Sequence, residues 1–228
     1  MVLVGYWPLN ETSGTTAYDV RNGNDGTVNG AGPDGTGTSS GLLNSSAYSF
    51  DGTDDYVTMP RSREGFPKSY SVWFNPGDGS GYPAVLRDDY HTQDAYSGIS
   101  IQYNAPDTWA LQIGDGSGSG SSHRKSHKGG DLTLGNWHHL VAVARGVNDV
   151  ELYKNGVNDY KGVSGSGSSV QYIGSKNVMG FRPAGSYYTP GKIQHVRIYD
   201  HALTPQEVQY MYSVGKNRGL HISSEKTL

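Results

Sequence analysis

Short runs of apolar or alternating residues, cut by Gly, Asn, Asp, Ser and Pro, recur along nearly the whole chain. Each run is long enough for one strand and too short for a helix, which is the pattern of an all-β sandwich. Strands are predicted at Val2–Pro8, Ala47–Thr58, Tyr70–Asn75, Ala84–Arg87, Gly98–Tyr103 and Trp109–Ile113. Further strands are predicted at Trp137–Arg145, Asp149–Lys154, Gln171–Ile173 and Gly191–Tyr199. The stretch from Trp137 to Ala144 has no polar face after His139, so it is expected to be a central strand covered on both sides. Between Leu152-Tyr153-Lys154 and Val157, the dipeptide Asn155-Gly156 tolerates the positive φ angles of a type I′ hairpin turn.

One departure from the β pattern stands near the end. Thr204-Pro205-Gln206-Glu207 supplies an N-cap threonine, a proline at the first helical position and a glutamate able to close a capping box. A short helix follows, with Val208, Met211 and Tyr212 as its apolar stripe, and is expected to stop before Gly215. The expected organisation is one domain over residues 1–213 and a C-terminal tail over 214–228. Three stretches read as loops by composition: Gly32–Gly41, Gly114–Gly130 and Gly162–Ser169.

The chain has 228 residues, of which 33 are Gly and 10 are Pro, so turns are dense. Only 34% of residues are hydrophobic, yet 17 Tyr, 4 Trp and 4 Phe provide the bulk a disordered chain lacks. Eighteen basic against 21 acidic residues leave a net charge of −3, which argues against general nucleic-acid binding. No apolar run approaches the length of a membrane-spanning helix, so membrane insertion is not expected. Without cysteine there is no disulfide framework, thiolate metal site or cysteine nucleophile. Met1–Trp7 lacks the basic and apolar regions of a secretory leader and reads as a strand from the outset. That suits either a complete small gene product or a module cut from a longer protein.

Five stretches in order resemble one family. Gly5-Tyr6-Trp7-Pro8-Leu9-Asn10-Glu11, followed by Tyr18-Asp19 and Asn22-Gly23-Asn24-Asp25-Gly26-Thr27, resembles the opening of a laminin-G-like domain. Ser49-Phe50-Asp51-Gly52-Thr53-Asp54-Asp55-Tyr56-Val57, Asn136-Trp137-His138-His139-Leu140 and Leu152–Val157 agree with it, as does the closing run Gly191–Thr204. Together they cover residues 3 to 213 and are similar to the bacterial and viral branch of the concanavalin A-like lectin/glucanase superfamily. The resemblance implies a jelly roll of two antiparallel sheets with one short C-terminal helix. It also implies recognition of glycans or extracellular proteins, although some superfamily members are glycosidases or polysaccharide lyases. Fold leaves that choice to the site.

Glycosidases require two carboxylates across the scissile bond. The chain has five glutamates, Glu11, Glu64, Glu151, Glu207 and Glu225, and none opens the Glu-x-Asp-x-(x)-Glu run in which glucanases of the superfamily place their pair. Asp54 and Asp55 are adjacent and point oppositely, while Asp88 and Asp89 read as a strand end or turn. His123 and His127 have metal-pair spacing but lie in a Gly/Ser-rich stretch without a third ligand, so a solvated basic loop is the better reading. No Gly-x-Ser-x-Gly elbow is present. A non-enzymatic protein is expected.

Two ligand sites are foreseen. In the resemblance, the Asp19–Gly26 loop meets a carboxylate on the last strand and binds Ca²⁺; here Asp19, Asn22, Asn24 and Gln194 would be the ligands. Gln194 adds no charge, so the alternative is an Asx-turn network with no metal. For glycan, Asp89, Tyr90, His91 and Tyr96 form one loop group with Tyr82 and Asp88, and Arg182, Tyr187 and Tyr188 form another. Trp109 is able to face either core or sheet surface; Trp7, Phe50, Trp73 and Trp137 are expected in the core. The function expected is an extracellular or cell-surface carbohydrate-binding or adhesion module. The alternative is a structural virion component, a capsid decoration or tail protein that assembles as an oligomer or on the particle.

Overall fold

The computed structural model describes residues 2–33, 46–61, 64–182 and 185–217. The first strands are β1 (Leu3–Trp7), β2 (Thr16–Ala17), β3 (Gly26–Asn29), β4 (Gly32–Pro33), β5 (Tyr48–Asp51) and β6 (Tyr56–Pro60). Then come β7 (Lys68–Pro76), β8 (Ala84–Tyr90), β9 (Ser97–Asn104), β10 (Thr108–Asp115), β11 (Arg124–Asp131), β12 (His138–Gly146) and β13 (Asp149–Lys154). The chain closes with β14 (Val157–Asn158), β15 (Gly162–Ser164), β16 (Lys176–Met179), β17 (Phe181–Arg182), β18 (Tyr187–Tyr188), β19 (Pro190–Tyr199) and α1 (Pro205–Asn217).

An eight-stranded antiparallel sheet runs β14-β13-β12-β7-β19-β5-β4, with β1 also on β19, and a nine-stranded one runs β15-β11-β10-β9-β8-β16-β6-β3-β2. Alternation decides what each sheet buries. Tyr70, Val72 and Phe74 of β7 and Leu140, Ala142 and Ala144 of β12 meet Ile99, Ile101, Trp109, Leu111 and Ile113 of the other sheet in one core. This is the sandwich that the pattern predicts and the jelly roll that the resemblance implies.

The outer face of the eight-stranded sheet is also dry. Val141, Val143, Tyr153 and Tyr199 lie in a second apolar cluster with Leu203 and Val208, closed by α1. Strand β12 is thereby buried on both sides, as its composition requires. The helix begins with a reciprocal capping box: Glu207 N–H donates to Thr204 Oγ1 at 3.3 Å, and Thr204 N–H to Glu207 Oε2 at 2.7 Å. It does not stop before Gly215. A Cβ there would fall 2.6 Å from the Trp73 ring, so the glycine is a contact residue that lets the last turn lie on the sheet. The helix therefore runs past residue 213 to Asn217, and the rest of the expected tail lies outside the described residues.

Several boundaries differ from expectation. The run 47–58 is two strands in different sheets, because Asp51 Oδ1 accepts the Thr53 N–H and Asp55 Oδ2 the Asp51 N–H, turning the chain at Gly52. Residues 171–173 form no strand; β16 takes that place at 176–179. The 114–130 segment is a loop only in part, since 124–131 is β11. Strand β15 likewise occupies part of the 162–169 loop, and most of the 32–41 loop lies outside the described residues. Asn155 and Gly156 have φ of 55° and 79°, and Lys154 pairs with Val157, which is the expected two-residue hairpin. Trp7, Phe50 and Trp73 are buried, whereas Trp137 precedes β12 and is only partly covered.

Under α1, His139 is fully buried, stacked at 5.0 Å on Trp73, with Nε2 on Ser71 Oγ at 2.8 Å. Burial, helped by Arg197 and His195, lowers its pKa to about 3. The unfolded chain, with an ordinary imidazole near 6.5, binds this proton first, so stability is lost as pH falls below about 6.5. Between pH 7 and pH 5 His139 alone is expected to remove about 2 kcal/mol. Chemical denaturation at both pH values should show this loss, and His139→Gln should flatten the slope; an equal slope in the variant would contradict the assignment.

Candidate functional site

The two groups of expected ligand residues meet different fates. Asp88 and Asp89 lie within β8, not in a turn, and both are fully buried. Asp88 Oδ2 accepts Lys68 Nζ at 2.9 Å and Tyr70 OH at 2.5 Å from β7, and Tyr172 OH at 3.2 Å; Oδ1 accepts Ile99 N–H at 2.6 Å. Asp89 accepts Arg61 Nη2 at 2.7 Å, Ile173 N–H at 2.9 Å, Gly174 N–H at 2.7 Å and the Ser97 hydroxyl. His91 joins the same network through Arg87 Nη2 at 2.8 Å and Ser97 Oγ at 2.6 Å, with Nδ1 taking the Gln93 N–H at 3.1 Å. Burial and the Arg87 charge hold its pKa below the usual value. Asp89 and His91 are thus structural anchors whose hydrogen-bonding capacity is spent inside the protein. Tyr90 stacks on Tyr56 at 6.3 Å and, with His91, borders a shallow recess of about 360 Å³.

Tyr96, Arg182 and Tyr187 do converge. The β17–β18 hairpin sets Arg182 opposite Tyr187 and Phe181 opposite Tyr188, so the two pairs occupy opposite faces. Phe181 and Tyr188 stack at 4.3 Å, near Tyr56 and Tyr90. On the other face the Arg182 guanidinium lies 5.2 Å from the ring centres of both Tyr96 and Tyr187. It also donates to Tyr82 O at 3.3 Å and Tyr96 OH at 3.4 Å. Tyr82 meets the Tyr187 ring edge-on at 6.4 Å and is itself 53% exposed. Cation–π contacts hold the arginine between phenols, with no carboxylate partner among the described residues.

This cluster stands over the outer face of the nine-stranded sheet. Since Ile99, Ile101, Leu111 and Ile113 face the core, Ser100, Gln102, Ala110 and Gln112 face outward. Ser126 is in register with Gln112, and Lys128 with Ala110, so β11 extends the same face. A cleft of about 480 Å³ opens there, lined by Tyr82, Asp107, Arg124, Ser126, Lys128 and Lys161 among others. Arg124 lies over the second side of the cluster, 4.9 Å from the Tyr96 ring centre.

The sequence carries no strand signal for β11, because Arg124-Lys125-Ser126-His127-Lys128-Gly129 has no apolar residue. Its inward positions are unusual: His127 is buried with Nε2 on Val147 O at 2.8 Å, and a Cβ on Gly129 would strike the Trp109 indole. The glycine makes room for Trp109, which is a core residue with Nε1 bonded to Asp159 at 2.9 Å. His123 pairs instead with Asp115 at 3.2 Å, so the two histidines share no site and the segment is not a solvated loop.

The residues proposed for calcium do not fit a cation. Asp19 is buried; Oδ1 accepts the N–H groups of Tyr6 and Arg21, each at 2.9 Å, and Oδ2 that of Asn24 at 3.2 Å. Asn22 donates to Val4 O at 3.1 Å, while Gln194 Nε2 donates to Ser46 O at 2.6 Å. The carboxylate is met by N–H donors, the Asx-type network of the alternative reading. Among the described residues one group of acids is close enough to share an ion, Asp51, Asp54 and Asp55, and its oxygens accept N–H groups of their own turn.

The family model described as the concanavalin A-like lectin/glucanases superfamily, of laminin-G type, matches residues 51–209. The chain belongs to that family. A comparison with curated proteins finds no match. Among solved structures, Trypanosoma rangeli sialidase with the inhibitor DANA is similar over 92% of this chain at TM-score 0.63 and 16% identity. The chain spans about a third of that sialidase, 32% of its length. The binding domain of Paraclostridial Mosquitocidal Protein 1 is similar at TM-score 0.65 and 15% identity, over 92% of this chain and 51% of that one. Domain 4 of AbnA, a GH43 extracellular arabinanase from Geobacillus stearothermophilus, in complex with arabinotriose, matches at TM-score 0.59 and 18% identity, over 92% of this chain and 98% of that one. At these identities the likeness shows the laminin-G-like fold alone. No helix among the described residues is long and apolar enough to cross a membrane.

Two outcomes are expected of the anchors. Asp88→Ala strands a buried lysine and should cost about 3–5 kcal/mol, more than Lys68→Met, which leaves Asp88 its other donors; urea unfolding of both variants gives the order, and the reverse order refutes it. Asp19→Ala should cost about 1–3 kcal/mol through orphaned N–H groups. Millimolar calcium should leave the melting temperature of both wild type and variant unchanged, whereas a rise in wild type alone would restore the metal.

Proposed function

We propose that the chain is a non-catalytic carbohydrate-binding module whose site is the outer face of the nine-stranded sheet. The observation that carries this reading is the convergence of Tyr82, Tyr96 and Tyr187 on Arg182, beside a cleft that Tyr82 and Arg124 also line. Phenol rings offer flat apolar faces to pyranose C–H groups, and the adjoining Arg124, Ser126 and Lys128 supply hydrogen-bond donors for ring substituents. On the other sheet α1 covers Val141, Val143, Tyr153 and Tyr199.

Chemistry at this cleft is disfavoured by its acids. Asp107 is the one carboxylate among the lining residues, and glycoside hydrolysis requires two on opposite sides of the bond. The arabinanase domain crystallised with arabinotriose supports saccharide recognition on a similar fold. Extracellular or surface display suits such a ligand. Of the residues expected from sequence, Tyr96, Arg182 and Tyr187 belong to the proposed site; Asp89 and His91 support it from within, and Tyr90 lies beyond the hairpin.

A glycan array probed with the full chain is expected to show binding. Tyr82→Ala, at an exposed ring, should weaken it by about 2 kcal/mol, roughly 30-fold, without altering the melting temperature. Retained affinity in that variant would place the site elsewhere, and hydrolysis of a bound oligosaccharide would overturn the non-catalytic reading.

A further inference from the structure

Hydrogen-bond donors outnumber acceptors on this face. Gln112, only 3% exposed, gives its Oε1 to Gln102 Nε2 at 2.8 Å, while its own Nε2 has no acceptor in the protein. Arg182, 6% exposed, and Arg124 each keep a buried Nε without an acceptor. Buried donors are normally paired, and of these three residues Arg124 also lines the cleft, where a ligand reaches it directly.

Charge points the same way. Among the described residues, Arg124, Lys128 and Arg182 form no ion pair, although the chain as a whole carries −3. Arg124 and Arg182 both lie on the Tyr96 ring, at 4.9 and 5.2 Å from its centre, and their mutual repulsion adds to burial in lowering the Arg182 pKa. Lys161, also in the cleft, is 3.5 Å from Asp159, and Asp107 is the one acid lining it. Two like charges sharing one phenol are stabilised most by an anion placed between or beside them.

Building on the glycan reading above, we propose that the ligand is an acidic saccharide whose carboxylate or sulfate group engages Arg124 and Lys128, with the Arg182 charge behind them and Tyr82 beneath a sugar ring. The guanidinium fork suits either planar carboxylate or tetrahedral sulfate. Uronate and sulfate therefore share one binding chemistry here.

Titration calorimetry tests the proposal with three probes: a polygalacturonate oligomer, a heparin hexasaccharide and a neutral arabino-oligosaccharide. At least one acidic probe should bind more than tenfold tighter than the neutral one, with affinity falling as salt rises. Preference for polygalacturonate identifies the carboxylate, and preference for heparin the sulfate; either supports the proposal. Arg124→Gln makes no hydrogen bond to lose, so it should fold normally and weaken the acidic probe at least tenfold. Lys216→Gln, on α1 at the opposite face, should leave affinity unchanged. Equal loss in both variants, or neutral binding as tight as acidic, overturns the acidic assignment. Tyr82-dependent binding of the neutral probe alone keeps the glycan reading and refutes this one, whereas no binding by any probe refutes both.

Discussion

Three consecutive charged residues on β8, Arg87, Asp88 and Asp89, are withdrawn from water, and both sheets and the 172–174 segment are tied through them. Removing a carboxylate from water costs several kcal/mol, recovered only when donors surround it. Asp88 meets that condition by reaching into the opposite sheet for Lys68 and Tyr70, so the register of β7 against β8 is part of the solution. Asp89 meets it with backbone N–H groups of Ile173 and Gly174 and with Arg61. Gly98 is required beside them: at φ 59°, a Cβ would lie 2.5 Å from Asp89 Cβ and 2.7 Å from Asp88 Oδ1. Apolar residues could fill the same volume, but they would not specify which strand ends and loops must meet.

With that end secured, the two outer faces diverge. The eight-stranded sheet presents Val141, Val143, Trp73 and His139, a surface that water cannot satisfy, and α1 covers it with Val208, Tyr212 and the bare edge at Gly215. The nine-stranded sheet presents Ser100, Gln102, Gln112, Ser126 and Lys128. No helix is driven onto such a polar face by burial of apolar area. Its cover is a two-stranded hairpin and a set of cation–π contacts, which leave a cleft open alongside. The division between a face covered by a helix and a face with an open cleft follows from side-chain polarity.

Much of this scaffold was legible. Apolar alternation gave the core strands, Asn155-Gly156 the hairpin, and Thr204 with Glu207 the helix start, because each depends on neighbours in sequence. What was hidden depends on neighbours in space. Gly215 has the sequence signature of a helix stop but serves contact with Trp73, and Gly129 has that of a loop residue but makes room for Trp109. Strand β11 has no apolar signature because one side yields to a tryptophan and the other faces a cleft. Asp89 and His91 looked like ligand residues, since an Asp-Asp-Tyr-His run is polar and aromatic at once. Nothing local reveals that Arg61, Ser97 and Gly174 would claim their hydrogen bonds. Tyr96, Arg182 and Tyr187 are brought together in space, and Arg124, which joins them on the Tyr96 ring, carries no local signal of that contact.

The two ligand sites foreseen from sequence are separated by the same accounting of donors and acceptors. Around Asp19 the acceptors are matched: three N–H groups answer one carboxylate, and Asn22 and Gln194 spend their amides on backbone carbonyls. A cation entering that loop would have to displace bonds that hold the loop to β1, and it would gain only one formal charge from Asp19. On the sheet face the balance is reversed, with guanidinium and amide N–H groups left over beside aromatic rings. Unpaired donors in partly dry surroundings cost free energy in the isolated protein, and a bound acceptor returns it. The loop therefore spends its interactions on folding, while the sheet face retains donors that folding leaves unspent.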